Sequence, residues 1–400
     1  MTAVAEIELL RSEAEDTPGP RGNPEFDLLL ACCADPSSGE PPRERIHAIL
    51  SHRLNWGRLL SQVDHHRVVP QVYSALSASS HLIPPQHFDA LRLRYRDNAR
   101  NALWFTGELV RIVSYFESAG IKALPYKGPL LAQTLYGEVT HRQFGDLDIL
   151  ILPEDVPKAK AALQSLGYKP TLDLAPQIET AYIETGYEYS FNATNGQNLL
   201  ELQWRIVPRF YSIDFDVADF FDRADEIKFG VRSMRTLRPE DLLLVLCVHA
   251  AKHAWVQLSW LCDITQLVRS EHMDWNAVQD EAHRLGIELI LNLNLFLTQK
   301  LLAAPLPRGR LRDDQQTIIL ADQILQIIKR SGHYDTESIP YFRLMMSLRG
   351  RRLDQARFLW RLASTPSVSE WSTIPLPKPL HPLYRLVRLA RLTKRLSSIS

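Results

Sequence analysis

The sequence lacks several features that would place it in a specialised class of protein. No run of 18 or more apolar residues occurs in its 400 positions, so no segment is predicted to span a membrane. It has only four cysteines, and their spacing matches neither a disulfide framework nor a zinc site. The N-terminus is acidic early and lacks a basic segment followed by an apolar run, so a signal peptide is not expected. These absences favour a cytoplasmic location.

Net charge is absent as well. The 46 Lys and Arg residues balance 46 Asp and Glu residues, so the global charge does not favour a nucleic-acid partner. The distribution is uneven, because Tyr341 to Ser400 contains twelve basic residues and only two acids. Within this basic tail, residues 383–396 have an apolar face surrounded by Arg and Lys. Such a helix either contacts an anionic membrane or nucleic acid, or packs on its own domain.

The apolar spacing divides the chain into five segments. A polar, disordered N-terminus (1–23) precedes an N-terminal helical region (24–120). An α+β core with a small mixed β-sheet follows (121–237). A C-terminal helical domain (238–335) and a basic, proline-containing helical tail (336–400) complete the chain. The predicted fold class is therefore α+β, a small sheet flanked by helical regions on both sides.

Short apolar runs in the core predict strands, and the longer spaced patterns between them predict helices. The predicted strands are 121–126, the strand that begins at Asp146, and then 168–172, 187–193 and 199–206, with helices at 130–136 and 154–166. Asn195-Gly196 is a typical hairpin turn between the last two strands.

The most informative run is Gly145 to Ile151, in which Asp146 and Asp148 precede a continuous apolar segment. Alternate residues of a strand point to the same face, so the two carboxylates are expected to project side by side. Two like charges at the mouth of a buried strand are unfavourable unless a cation lies between them. Mg²⁺ prefers such oxygen ligands. An apolar strand with this acidic pair also occurs by chance.

Two further elements suit the same chemistry. Lys127-Gly128 joins a strand end to a helix N-terminus, where free N–H groups and the helix dipole favour phosphate. The alternative is an ordinary Gly-Pro turn. Glu201 is a carboxylate embedded in an apolar strand, and it would be a third metal ligand if that strand lies beside the Asp146 strand. It could instead be a cross-strand partner of Arg205 or Lys169.

These residues resemble the polymerase-β-like nucleotidyltransferase superfamily, whose pattern is a Gly-containing turn, an Asp-x-Asp strand and a later third acid. More narrowly, the chain resembles a bacterial family of uncharacterised nucleotidyltransferases over about residues 40 to 275. The matching segments are Asn55 to Leu60, His66 to Pro70, Lys127-Gly128, Tyr136, Arg142, Asp146 to Asp148, Glu201 to Trp204, Pro239 to Asp241, His249 to His253 and Trp260 to Ile264.

Two residues depart from the pattern of the superfamily. Pro129 stands where Ser or a second Gly usually follows the first Gly, and proline has no N–H to offer a phosphate. Gln203 stands where His often precedes the Trp. Neither departure removes a carboxylate.

The resemblance implies a nucleotidyltransferase core and a set of site residues. Asp146, Asp148 and Glu201 would be catalytic and would bind two Mg²⁺ ions, with Mn²⁺ as an alternative ion. Glu201 could also take the proton of the acceptor. The nucleotide-binding residues would be Lys127, Gly128, Arg142 and Lys252.

Arg142 and the helix that carries Lys252 have competing interpretations. Arg142 could instead pair with an acid. His249 and His253 lie on the Lys252 face of their helix. They could form a zinc site or be ordinary half-buried histidines that are satisfied by hydrogen bonds.

The implied reaction is transfer of an NMP from an NTP to an acceptor with release of pyrophosphate. ATP is the expected donor, and AMP is therefore the expected transferred group. A small molecule, a peptide or a protein is the expected acceptor, and nucleic acid is not. The alternative is a catalytically silent module that binds a nucleotide or a partner, and Pro129 favours that alternative.

Overall fold

The computed structural model describes residues 23–34, 42–172, 174, 176–193, 199–269, 273–307, 309–312, 314–330, 332, 334–336 and 338–365. The predicted disorder at residues 1–22, the Asn195-Gly196 turn and the amphipathic helix in the basic tail lie outside the described residues.

The chain begins with helices, as the spacing predicts. They are α1 (Pro24–Cys33), α2 (Pro42–Leu50), α3 (Trp56–His66), α4 (Val69–Ser77) and the 34-residue α5 (Pro85–Ser118). The side chain of Asn55 caps α3 by accepting a hydrogen bond from the N–H of Arg58, which satisfies a donor that the helix leaves free. Gly120 has a φ of +65° two residues after the last residue of α5, Ser118, so it supplies the left-handed turn that ends the helix.

Within the described residues, five strands form one mixed sheet in the order β1-β2-β5-β4-β3. They are β1 (Ala123–Pro125), β2 (Asp146–Ile151), β3 (Tyr168–Pro170), β4 (Glu188–Ala193) and β5 (Leu199–Gln203). The central pair β2 and β5 is parallel, and the other neighbouring pairs are antiparallel. The last five residues of β2 are buried, which explains why this strand is a continuous apolar run.

Short helices connect the strands. They are α6 (Gly128–Tyr136), α7 (Val156–Ser165), α8 (Pro176–Thr185) and α9 (Val217–Asp222). A second, two-stranded sheet follows, with β6 (Asp225–Phe229) antiparallel to β7 (Arg232–Thr236). Neither this hairpin nor α8 and α9 was predicted from the sequence. Most residues of β6 and β7 are exposed, so the hairpin lacks a strong apolar signal.

The remainder of the described chain is helical, in agreement with the pattern. These helices are α10 (Pro239–Lys252), α11 (Leu258–Leu267), α12 (Trp275–Leu285), α13 (Glu288–Leu302), α14 (Gln315–Lys329), α15 (Ile339–Ser347) and α16 (Arg352–Ser364). Among the described residues, no helix has the length and apolar character needed to cross a membrane. The structure thus has an α+β architecture in which helical regions flank a small mixed sheet.

Two apolar clusters surround the central strand. The C-terminal half of α5 contributes Phe105, Ile112 and Phe116 to one cluster, together with Ile149 and Ile151 of β2. The other cluster joins the N-terminal helices to α10, α11 and α13, and it includes Leu150 of β2. Because β2 is packed on both faces, the residues at its beginning are held in a fixed position.

Candidate active site

Two neighbouring strands bring three carboxylates to one cavity. Asp146 and Asp148 open β2, and the parallel pairing with β5 places Glu201 directly opposite Asp148. The sequence argument required these strands to be neighbours, and the structure confirms that they are. All three residues line a cavity of about 410 Å³, a size typical of sites for small ligands.

The concentration of negative charge alters the proton affinity of these groups. Burial is the main cause that raises the pKa of Asp146, and the charge of Asp148 adds to it. Burial, followed by the charges of Asp148 and Glu188, raises the pKa of Glu201 to about 8. Glu188 on β4 is a further carboxylate at the cavity, and the sequence argument missed it. A cation among these groups would relieve their mutual repulsion.

A lysine already supplies one positive charge there. Nζ of Lys127 donates to Oδ1 of Asp148 at 2.9 Å, and the two side chains are only 8% and 3% exposed. Burial is the largest single cause and lowers the pKa of Lys127. The charge of Asp148, with smaller contributions from Tyr126 and Glu201, raises it, and together these bring the pKa above its ordinary value. Sequence reasoning assigned Lys127 to the phosphates of a nucleotide. The structure pairs it with Asp148, and the phosphate contact stays a prediction.

Gly128 fills a position that requires glycine. Its φ is +59°, and a Cβ there would lie 3.2 Å from the main-chain oxygen of Asp146. The structure shows a close approach of this residue to β2, and the nucleotide contact that the resemblance implies for Gly128 stays a prediction. Pro129 lies in the first turn of α6, where its missing N–H disturbs no hydrogen bond within the helix. The turn therefore fixes α6 against the strand that carries the aspartates.

Arg142 has an acidic partner. Its Nε and Nη2 atoms donate to both carboxylate oxygens of Asp263 at 2.9–3.0 Å, and Asp263 is fully buried. The hydroxyl of Tyr136 donates to the same carboxylate at 2.9 Å. The structure thus supports the interpretation that Arg142 pairs with an acid, and this pair joins the segment before β2 to α11. Arg142 also lines the cavity, so its contact with a nucleotide stays a prediction.

Gln203, which the sequence analysis noted only as a departure, connects the acidic residues. Its Oε1 accepts a hydrogen bond from the hydroxyl of Tyr126. Its Nε2 donates to Oε2 of Glu201 at 2.9 Å and lies 3.3–3.4 Å from oxygens of Glu188 and Asp148. Neither Arg205 nor Lys169 is paired with Glu201 on the neighbouring strands, where Asp148 and Ser190 lie opposite it. Gln203 therefore orients the carboxylate that we proposed as the third ligand.

The α10–α11 segment forms another part of the cavity wall. Lys252, His249, His253 and Trp260 all line it. The Nζ of Lys252 lies 4.8 Å from the ring centroid of Tyr187, a cation–π distance. Lys252 therefore reaches the cavity as the sequence argument proposed, and its contact with phosphate stays a prediction. Sequence reasoning did not assign Trp260 to the site.

The donor atoms suit a hard divalent cation, although they are not gathered around one point. Within the described residues, no group of three or more His, Cys, Asp or Glu side chains has the arrangement of a metal site. His249 and His253 therefore lack a third ligand of these types among the described residues, which argues against the zinc alternative. Asp146, Asp148 and Glu201 nevertheless line one cavity. Their carboxylate oxygens are the ligands that Mg²⁺ prefers, and a divalent cation would offset their negative charge. The ammonium of Lys127 takes one oxygen of Asp148 in this structure.

Comparison with known proteins assigns the family. No curated protein matches the chain. One solved structure that matches is an antigenic nucleotidyltransferase-like protein from Paracoccidioides brasiliensis, with 11% identity and a TM-score of 0.30, covering 52% of this chain and 96% of that chain. A family model described as "Uncharacterised nucleotidyltransferase" matches residues 52–303, more than half of the 400 residues. The chain therefore belongs to this family of uncharacterised nucleotidyltransferases.

Proposed function

We propose that this protein transfers an NMP from an NTP to an acceptor hydroxyl and releases pyrophosphate, with ATP as the donor. The observation that carries the proposal is the parallel register of β2 and β5, which places Glu201 opposite Asp148 in the cavity that Asp146 also lines. In the reaction, the acceptor oxygen bonds to the α-phosphorus, and the bond from that phosphorus to the leaving pyrophosphate oxygen breaks. The membership in a nucleotidyltransferase family supports this reaction class.

Asp146, Asp148 and Glu201 would hold Mg²⁺, with two ions as our proposal and Mn²⁺ as an alternative ion. A bound ion would neutralise charge on the phosphates and polarise the acceptor hydroxyl. Glu201 is our candidate to accept the proton of that hydroxyl. Gln203 would hold the Glu201 carboxylate in place through its 2.9 Å hydrogen bond.

Two lysines would provide the positive charge that a triphosphate requires. Lys127 lies at the N-terminus of α6, next to the carboxylates. Lys252 reaches the same cavity from the end of α10. A ligand with several negative charges would be held between the two ammonium groups, because charge neutralisation and positioning dominate phosphoryl-group transfer. Gly128 would act indirectly by fixing this turn against β2.

The direct test measures label transfer from α-labelled ATP. Purified protein, Mg²⁺ and a cell extract are incubated, and the label is followed into small-molecule, peptide and protein fractions. We expect transfer by the wild type and none by Asp146→Asn. Asp146 is a better probe than Asp148, because Asp148→Asn would also leave the buried ammonium of Lys127 without its ionic partner. Asp222→Asn, at an exposed carboxylate at the end of α9, is the matched control.

The same fold could instead be a catalytically silent module that binds a nucleotide or a partner. Two observations favour this alternative: Pro129 offers no N–H at the phosphate turn, and Lys127 is engaged by Asp148. A crystal structure with Mg²⁺ and a non-hydrolysable ATP analogue discriminates between the two. Two ions bridged by Asp146, Asp148 and Glu201 would support the enzyme. A bound analogue without an ordered ion would support the module.

A further inference from the structure

Three aromatic side chains form a continuous cluster on the cavity wall that α10 and α11 provide. The ring centroids of His249 and His253 are 4.7 Å apart, and they lie 5.3 and 5.4 Å from that of Trp260. All three residues line the same cavity as the carboxylates. The proposed reaction uses none of these rings, so their position in the cavity requires a separate explanation.

The cluster is uncharged at neutral pH. Burial, together with nearby positive charges, lowers the pKa of His249 well below its ordinary value and that of His253 to about 3. Nδ1 of His249 accepts a hydrogen bond from the ammonium of Lys127, since lysine can only donate. The hydrogen of the neutral imidazole is therefore on Nε2. The wall consequently presents neutral rings beside charged groups.

The cluster is joined to the reacting end of the cavity through direct contacts. Nζ of Lys127 lies 3.2 Å from Nδ1 of His249 and 2.9 Å from Oδ1 of Asp148. Lys252, the residue before His253, brings a second ammonium to the cavity. A ligand that fits all these groups has a polyanionic part for the lysines and a flat aromatic part for the rings. A nucleoside triphosphate has this combination of chemical groups.

We propose that Trp260 and His253, supported by His249, form the platform on which the nucleobase of the donor stacks. This inference rests on the proposed function, because it names the part of the cavity that holds the base. Neutral imidazole and indole faces favour stacking with any base and favour purines through their larger area. Selection by hydrogen bonds to particular base edges is not part of the proposal.

The test compares three ligands by calorimetric titration in the presence of Mg²⁺: ATP, adenosine and inorganic tripolyphosphate. Trp260→Leu removes the largest ring, and we expect it to weaken ATP and adenosine about 10-fold or more. Tripolyphosphate, which has no base, should bind this variant as it binds the wild type. Trp260→Phe retains an aromatic face and should restore most of the ATP affinity. Trp275→Leu is the matched control, because Trp275 is also half-buried but lies outside the cavity lining.

The outcomes separate this inference from the proposed function. Unchanged ATP affinity in Trp260→Leu would overturn the base platform, while ATP binding by the wild type would leave the proposed function standing. An equal loss of ATP and tripolyphosphate would also overturn the platform, since the effect would not depend on the base. A wild-type protein that binds no nucleoside triphosphate would overturn both. Circular dichroism and thermal melting of each variant show whether the fold is retained.

Discussion

Replacing Lys127 by Met should destabilise the protein, because the ammonium of Lys127 is the ionic partner of the buried Asp148. The substitution retains an unbranched side chain and removes the ammonium that lies 2.9 Å from Asp148. The Asp148 side chain is 3% exposed, so its charge would lose its ionic partner with little compensation from water. Removing one partner of such a buried pair costs about 3–5 kcal/mol. We expect the free energy of unfolding to fall by about that amount at pH 7.

The measurement is urea unfolding at pH 7 with EDTA, so that no divalent ion takes the place of the lysine. Lys158→Met is the matched control, because Lys158 is exposed, and it should change stability by about 0.5 kcal/mol or less. The double variant Lys127→Met with Asp148→Asn should be less destabilised than the sum of the single variants, since it removes both charges together. A Lys127→Met protein as stable as the wild type would refute the reasoning.

A divalent ion extends the same experiment. If the carboxylates bind Mg²⁺, the ion should stabilise Lys127→Met more than the wild type, because no ammonium competes for Asp148 in the variant. Equal stabilisation of both proteins by Mg²⁺ would indicate that the ion binds elsewhere.

Two further predictions concern stability. His66 is fully buried, and burial, with the charge of His65 as the next cause, lowers its pKa to about 3 from 6.5. The unfolded chain therefore binds a proton below pH 6.5 that the folded protein does not, so stability should fall as the pH decreases from 6.5 towards 3. His66→Gln should reduce the loss of stability between pH 7 and pH 5 in urea unfolding by about 2 kcal/mol, because the full slope of about 1.4 kcal/mol per pH unit applies only below pH 6.5. An unchanged loss would argue against the neutral buried imidazole. Gly128→Ala should lower stability by about 1–2 kcal/mol, because alanine disfavours a positive φ and its Cβ would crowd the main-chain oxygen of Asp146. Gly107→Ala is the control, since its Cβ would meet no atom within 4 Å in the middle of α5, and it should instead stabilise by about 0.5–1 kcal/mol. Equal effects of both glycine substitutions on thermal melting would contradict this account of Gly128.

The sequence made the central strands predictable because their burial creates a strong pattern. β2 is packed on both faces and reads as an apolar run, and the short span between Gly128 and Asp146 accommodates α6 and a loop. The hairpin of β6 and β7 could not be predicted in the same way. Most of its residues are exposed, so the alternation that marks a half-buried strand is weak.

The sequence was sufficient to select the three carboxylates of the candidate site, but it did not indicate which side chains would form hydrogen bonds or ion pairs with one another. Asp146 and Asp148 were identified by their alternate spacing on a strand, which fixes the face on which a side chain lies, and Glu201 as the carboxylate within an apolar strand. The partner of Arg142 is 121 residues away in the sequence, and a charge pattern does not indicate a partner at that distance. The role of Gln203 likewise depends on the strand register, which only the folded sheet reveals.

The position of the transferred label tests the central claim most directly. Wild-type protein and Asp146→Asn are incubated with Mg²⁺, cell extract and ATP labelled at either the α- or the γ-phosphate. Nucleotidyl transfer predicts that the acceptor fraction gains the α-label, that the γ-label appears in pyrophosphate, and that Asp146→Asn gives neither product. Transfer of the γ-label to the acceptor, or equal α-label transfer by Asp146→Asn, would contradict the account.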